Sequence, residues 1–357
     1  MKAIHQFVAG FSNGDAISNE AAVMRGIFRS WGYESRIYSE PRRILPELRK
    51  EAHDINRYRQ SAGPDDVLLL HLSIGSIVND IFAELPGRKV ILYHNVTPPE
   101  YFRGIQEEIA ANLARGREQI KALAETAEVV LADSRFNAKE LESMGYGKVS
   151  VLPLVLDLDR VRDRPSRRVT REYCDGLINI LFVGRCVPNK RIEDALCAFH
   201  YFQRYVEPGS RFIHVGSYAG MEQYHAYLLT QARELQLENV VFTGSVRQDE
   251  LNAFYRSAHV FLCMSEHEGF CIPVIESMAL DVPVLAYDAA AIPETMNGAG
   301  VLFSEKRFDL ISEMMGNLSR TCDLRKSVLE GQSERIARYE DRDPSEELRE
   351  LLSPLLA

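Results

Sequence analysis

Two glutamates stand eight residues apart in Glu268-Gly269-Phe270-Cys271-Ile272-Pro273-Val274-Ile275-Glu276. The apolar run just before them, 260–265, reads as a strand, and Pro273 reads as the opening of a helix. Open α/β sheets collect ligands at the carboxyl ends of their strands. Two carboxylates and a glycine at such a place can grip two parts of one polar ligand, and a nucleotide sugar fits that grip. The same spacing also fits two helix-end glutamates that serve only the helix dipole.

A second cluster lies about 80 residues earlier, in Val183-Gly184-Arg185-Cys186-Val187-Pro188-Asn189-Lys190. A strand ends at Gly184, whose lack of a side chain lets the backbone approach a ligand. Arg185 offers a planar fork for phosphate oxygens, and Lys190 a mobile point charge. Together they can neutralise a leaving diphosphate without a metal. Alone, the pair reads as two solvated cations at a helix start. Paired with Glu268 and Glu276, it reads as the diphosphate end of a nucleotide-sugar site.

In the first half, His94 follows the apolar run 90–93 and precedes Asn95-Val96-Thr97-Pro98-Pro99. A histidine there can donate a hydrogen bond to a sugar or position an acceptor hydroxyl. His71 ends the run 67–70 in a similar way, with a weaker case. Gly14, in Phe11-Ser12-Asn13-Gly14-Asp15, lets the first turn lie against a diphosphate or an acceptor. Asp15 reads equally as a helix cap. The turn lacks G-x-G-x-x-G, so a dinucleotide site is not expected. Asp157-Leu158-Asp159 has the form of a D-x-D metal site but sits where the chain leaves its first domain, and no metal is assigned to it. The histidines and cysteines show no zinc spacing, and neither a P-loop nor G-x-S-x-G is present.

The elements that must position these residues alternate in type. Strand-like runs at 4–8, 67–72, 90–93, 129–132 and 149–154 are separated by amphipathic stretches. The pattern restarts at 178–183, 212–215, 240–242, 260–264, 282–287 and 300–303, with helices expected at 191–206, 222–236, 249–257, 273–280 and 308–319. Such alternation implies parallel sheets clothed by helices. The arginine-rich stretch 157–176 between the two series reads as an interdomain connection. Two domains are the ordinary expectation for 357 residues. The net charge of −9 is carried by residues 173–357, at −10, whereas residues 1–172 carry +1. That acidic total argues against general nucleic-acid binding. No run approaches a membrane span, and no signal peptide is expected. The six cysteines read as reduced, packed thiols of a cytoplasmic protein.

Taken together, these residues resemble the retaining glycosyltransferases of family 4, which have the GT-B fold. The resemblance rests on Phe182-Val183-Gly184-Arg185 with Lys190, then Val241-Phe242-Thr243-Gly244-Ser245-Val246, then Ser265-Glu266-His267-Glu268-Gly269-Phe270 with Glu276, then Pro283-Val284-Leu285-Ala286 and Ile292-Pro293-Glu294. In the first half it runs through Gly14, His94 and Ala132-Asp133-Ser134. It implies an α/β chain of two Rossmann-like parallel-sheet domains facing across a cleft. An acceptor domain at 1–165, a nucleotide-sugar domain at 166–340 and a terminal helix at 341–357 packing back on the first domain are expected. It further implies that Arg185 and Lys190 hold the diphosphate beside Gly184, and that Glu276 holds the ribose. Glu268, Gly269, Phe270 and Cys271 would surround the donor sugar, with Gly244, Ser245 and Val246 beside the base. His94 would contact the transferred sugar, and Asp15, Ser134 and Arg135 would face the acceptor. Two positions depart from the family's usual glycine, Cys271 and Asp281.

The function so implied is metal-independent, retaining transfer of a hexose from a UDP- or GDP-sugar to a glycan or lipid-linked saccharide, in bacterial surface polysaccharide synthesis. No cofactor is expected. Two alternatives stand beside it: a GT-B relative acting as epimerase or phosphorylase, and a non-catalytic nucleotide-sugar-binding protein. The stretch 40–60, with six Arg and Lys among its acids, reads either as a basic helix touching the inner membrane surface or as a solvated face with local ion pairs.

Overall fold

The structure, a computed structural model, describes residues 3–320 and 322–356. The chain divides into two units. The first runs up to Arg103, continues over Glu107–Leu156 and takes the end of the chain from Asp343. The second holds Gly104–Gln106 and Asp157–Arg342.

The first unit is built on seven parallel strands: β1 (Ile4–Val8), β2 (Ile37–Ser39), β3 (Ala52–Asp54), β4 (Val67–Leu72), β5 (Arg88–Tyr93), β6 (Val129–Ala132) and β7 (Ser150–Val151). Their spatial order is β3-β2-β1-β4-β5-β6-β7. All six residues of β4, Val-Leu-Leu-Leu-His-Leu, are buried. A continuous apolar run instead of an alternating one is what a parallel strand covered on both faces requires. β2 and β3 were not expected from the sequence. They are three residues long, β3 at the sheet's edge and β2 beside it, too short to show a period.

The stretch 40–60 is not a basic helix. Pro41 and Pro46 each open a single 3-10 turn, β3 follows, and the only α-helix is the five-residue Ile55–Arg59. The arginines therefore do not line up on one face. Arg43 pairs with Glu40, Arg59 with Glu84, and Glu51 with Arg25.

The terminal helix Pro344–Leu356 belongs to the first unit's core. Leu348, Leu352 and Leu355 are buried beside Ile4, Met24, Phe28, Val67 and Leu69. The indole N–H of Trp31 donates to Ser345 Oγ at 2.9 Å, and Arg88 donates to the carbonyls of Leu355 and Pro354 at 2.8 and 2.7 Å. Each buried leucine contributes about 2 kcal/mol of apolar burial.

The second unit carries six parallel strands: β8 (Ile178–Val183), β9 (Ser210–Val215), β10 (Val240–Phe242), β11 (Val260–Cys263), β12 (Val284–Tyr287) and β13 (Val301–Phe303). They are ordered β10-β9-β8-β11-β12-β13. The arginine-rich stretch is not a bare connection, and the units divide at 156/157, earlier than the expected 165. It forms two short helices, Asp159–Arg162 and Arg167–Tyr173, that bury Val161 and Val169. Both are tied to the helix Gln248–Ser257. Asn252 donates to the carbonyls of Arg160 and Asp163, Arg256 to that of Arg162, and Arg168 pairs with Glu250. No described helix is long and apolar enough to cross a membrane.

Candidate functional site

In the second sheet the chain builds outward from β8 to β9 and β10, then returns to start β11 on the other side. The β8/β11 boundary is therefore the topological switch point, where the loops after neighbouring strands part and leave a crevice. Arg185 and Lys190 follow β8, and Glu268 follows β11. Lys190 ends the 3-10 turn Pro188–Lys190. Its Cε lies 3.6 Å from where a β-carbon on Gly184 would sit. Its ammonium ion-pairs with Glu268 across the two loops. Burial would lower the Lys190 pKa, but the Glu268 carboxylate, together with the neighbouring Cys271 and Cys263, holds the ammonium above its ordinary range. The two loops are also locked by backbone: Glu266 N–H donates to Asn189 O at 2.9 Å, and the Asn189 side chain donates to His267 O at 3.0 Å. Arg185 is exposed, and no described residue forms an ion pair with it. A guanidinium without an internal partner keeps its fork for an anion.

Glu276 lies in the helix Ile272–Ala279. The Tyr255 hydroxyl donates to its Oε2 at 2.6 Å. Burial raises the Glu276 pKa, opposed by the Tyr255 hydrogen bond and by Arg160. Tyr255 is the only described residue that bonds this carboxylate, so one oxygen is oriented and the other is left for a ligand hydroxyl. Tyr255 was missed in the sequence, where it is simply one more apolar-face position of a helix.

Cys271 and Asp281, the two departures from glycine, both have left-handed backbone, at φ 72° and 57°. Non-glycine residues pay about 1 kcal/mol or more there. Cys271 is buried, and its thiol lies within electrostatic reach of Glu268 and Lys190. Phe270 is also buried, and its carbonyl accepts the Thr295 hydroxyl. Gly269 separates it from Glu268, whose carbonyl accepts Ala291 N–H at 3.2 Å. Gly244 follows β10 and meets the β9 end, its carbonyl accepting Gly216 N–H at 3.1 Å. Ser245 is exposed and Val246 half-buried.

The first unit treats its strand-end residues differently. Asp15 caps the helix Ala16–Ser30, its Oδ2 accepting from Ser18 N at 2.8 Å and Ser18 Oγ at 2.7 Å. Ser134 caps the helix Arg135–Ser143 by accepting from Asn137 N. Arg135 forks onto both oxygens of Glu142 at 3.1 Å. All three expected acceptor contacts are thus engaged in local structure. Gly14 keeps its left-handed turn at φ 73° with open space at its Cβ position.

His94 is likewise engaged. Gln6 Nε2 donates to Ala21 O at 2.9 Å, which turns the Gln6 amide oxygen toward His71 Nε2, 2.9 Å away. His71 Nε2 must therefore carry a hydrogen. His71 is fully buried, and desolvation with the neighbouring His94 charge pushes its pKa well below the ordinary value, so Nδ1 is a bare acceptor. That acceptor faces His94 Nε2 at 2.8 Å. His94 Nδ1 faces Asp133 Oδ2 at 3.0 Å and Glu20 Oε2 at 3.6 Å. Both nitrogens of His94 carry hydrogens, and the ring is an imidazolium. Burial would lower its pKa, but the two carboxylates raise it to about 9. The side chain, 3% exposed, has no ring N–H left for a sugar. Glu20, His71 and His94 have ligand-type atoms within 4.8 Å of one another. A cation there would have to displace the proton that joins the two histidines. Of this network the sequence marked His94, His71 and the Asp133 motif, while Gln6 and Glu20 carry no local signal.

Residues 175–327 match the family model described as glycosyl transferases group 1. O-antigen chain mannosyltransferase B of Escherichia coli is 28% identical over 37% of this chain and 34% of that protein. The GDP-mannose-dependent alpha-(1-6)-phosphatidylinositol monomannoside mannosyltransferase of Mycobacterium tuberculosis is 29% identical over 47% of this chain and 46% of that protein. The matches thus span about a third to a half of these relatives. Among solved structures, Anabaena HepE in complex with UDP and glucose superposes with a TM-score of 0.75, at 15% identity over 99% of this chain and 100% of that one. Sucrose-phosphate synthase from Thermosynechococcus elongatus gives 0.77, at 15% identity over 99% of both chains. The two parallel sheets and these neighbours establish the GT-B fold, and residues 175–327 carry the match to the glycosyl transferases group 1 family.

Proposed function

We propose that the chain is a retaining glycosyltransferase of family 4 that moves a hexose from a nucleotide sugar to a saccharide or lipid-linked saccharide. The observation that carries this reading is the switch-point cluster, with Arg185 unpaired beside β8, Lys190 joined to Glu268 across the β8/β11 loops, and Glu276 oriented by Tyr255. Arg185 and Lys190 take the diphosphate, supplying the charge that a divalent cation would otherwise supply. Glu268, held by Lys190, takes the donor sugar, and the free oxygen of Glu276 takes the ribose. The names of the mannosyltransferase relatives favour a mannose donor, one of them specifying GDP-mannose. Surface-glycan synthesis is the setting those names suggest.

In the transfer, the bond between the sugar's anomeric carbon and the phosphate oxygen breaks, its electron pair leaving with the phosphate. The acceptor oxygen bonds to the same face, and its proton passes to the departing phosphate oxygen. Positioning and charge stabilisation then supply most of the catalysis. His94 contributes a fixed positive charge at the first unit's strand ends instead of a ring N–H. The test is turnover of GDP-mannose and UDP-glucose with a panel of saccharide and lipid-linked acceptors, reading the product's anomeric configuration. A retained anomer supports the reading. Epimerisation without acceptor, or tight nucleotide binding with no turnover on any acceptor, would refute it.

A further inference from the structure

The carboxyl ends of β8, β9 and β10 lie side by side, and each is followed within two residues by a glycine, Gly184, Gly216 and Gly244. A β-carbon on Gly216 would stand 1.8 Å from the carbonyl oxygen of Gly184, so these two backbones touch in a way only glycine permits. Gly216 N–H donates to Gly244 O at 3.1 Å, and Gly244 has φ 69°. The three glycines thus bring backbone against backbone across the three strand ends. One large side chain rises beside them. Tyr218 follows β9 and is 37% exposed. A β-carbon on Gly244 would meet the Tyr218 ring edge at 3.4 Å.

Tyr218 is packed on one face although it is exposed. One face lies on the His225 ring, with centroids 4.2 Å apart and planes 7° apart. His225 stands edge-on to Phe242 at 5.0 Å, Phe242 meets His214 at 5.3 Å, and His214 stacks on Phe182 at 5.6 Å. This aromatic series ties an exposed ring to the sheet. The loop beside it carries the free cation: Cys186 N–H, next to Arg185, donates to Ser217 O at 2.9 Å. A phosphate-seeking guanidinium and an aromatic wall therefore sit on adjacent, hydrogen-bonded loops, as the two ends of a nucleotide require.

We propose that Tyr218, backed by His225, is the stacking wall for the donor's nucleobase. This rests on the nucleotide-sugar reading above and adds a side chain to it. Stacking on an aromatic ring is sequence-tolerant because every base has a π-face, and it contributes about 1–3 kcal/mol per base. Phenylalanine should replace tyrosine, and alanine should not.

The experiment measures dissociation constants of GDP, UDP and inorganic pyrophosphate for the full chain, as wild type, Tyr218→Phe and Tyr218→Ala, with Arg185→Ala as reference. Expected is a loss of about tenfold or more for both nucleotides in Tyr218→Ala, little change in Tyr218→Phe, and unchanged pyrophosphate binding in both. Wild-type nucleotide affinity in Tyr218→Ala, with Arg185→Ala still impaired, would overturn the stacking wall alone. Equal loss for pyrophosphate and nucleotides in Tyr218→Ala would overturn it as a mere structural effect. Failure of the wild type to bind either nucleotide would remove both readings.

Discussion

After β8 and β11, the second unit leaves polar ends available. Arg185 has no ion-pair partner among the described residues, and one oxygen of Glu276 is uncommitted. After β1 and β6, the first unit turns comparable residues back on its own backbone, with Asp15 and Ser134 as helix caps and Arg135 clamped by Glu142. The strand-to-helix architecture is the same in both. A short polar residue just before a helix satisfies orphan N–H groups and is consumed by them. Arg185, just after a strand end, and one oxygen of Glu276, within a helix, are not consumed in this way among the described residues, whereas Arg135 at a helix start is taken up by Glu142. Offset from the helix start, more than chemical type, separates these candidate ligand groups from the structural ones.

The comparison breaks most readily at Lys190. Lys190→Met leaves Glu268 half-buried without its cation and removes a diphosphate contact. Transfer should fall at least about 100-fold, on the scale of losing one preorganised electrostatic contact in a catalytic site. A Lys190→Met enzyme with near-normal turnover would place the second unit's pair among structural ion pairs.

A pH series probes the first unit next. The folded-state pKa of His94, about 9, lies above its ordinary value of 6.5. Its contribution is therefore complete below about pH 6.5 and is lost as pH rises through 9. The thermal midpoint of the wild type should drop by several degrees between pH 6.5 and 9.5. His94→Gln, which cannot be charged, should be less stable at pH 6.5 and flatter across that window. Equal slopes in the two proteins would contradict the imidazolium assignment.

Smaller effects sharpen the distinction. Asp15→Ala and Ser134→Ala should each cost about 1 kcal/mol of stability as lost caps. Neither should alter nucleotide affinity, and calorimetry beside a binding isotherm reads both quantities. A lost affinity with unchanged stability would return these residues to the ligand side. Smallest is Asp281→Gly, expected to stabilise by about 1 kcal/mol by relieving a left-handed backbone. Unchanged or reduced stability would show that the aspartate offsets its own strain.

Much of this was legible in the sequence, and for physical reasons. Buried parallel strands announce themselves as apolar runs, so β1, β4, β6, β8 and β10 lie where the runs do. Cys271 and Asp281 stood out as departures from glycine, and the backbone explains why glycine is usual there. What stayed hidden is tertiary. The three-residue strands β2 and β3 have no period to read. Pro41 and Pro46 cut the basic stretch into turns, although its charge suggested a helix. Val161 and Val169 are too few to mark the arginine-rich stretch as packed structure. The His94 proton inventory depends on Gln6, 88 positions away in the chain, and on which way one amide points.

The most direct test of the central claim, that the second unit clamps a nucleoside diphosphate with Arg185 and holds its ribose with Glu276, is a binding isotherm for GDP and UDP on the wild type, Arg185→Ala and Glu276→Ala. The account predicts that at least one nucleotide binds the wild type and that each substitution weakens it by about tenfold or more, as expected for a charge-assisted contact. Wild-type affinity in both variants would contradict it.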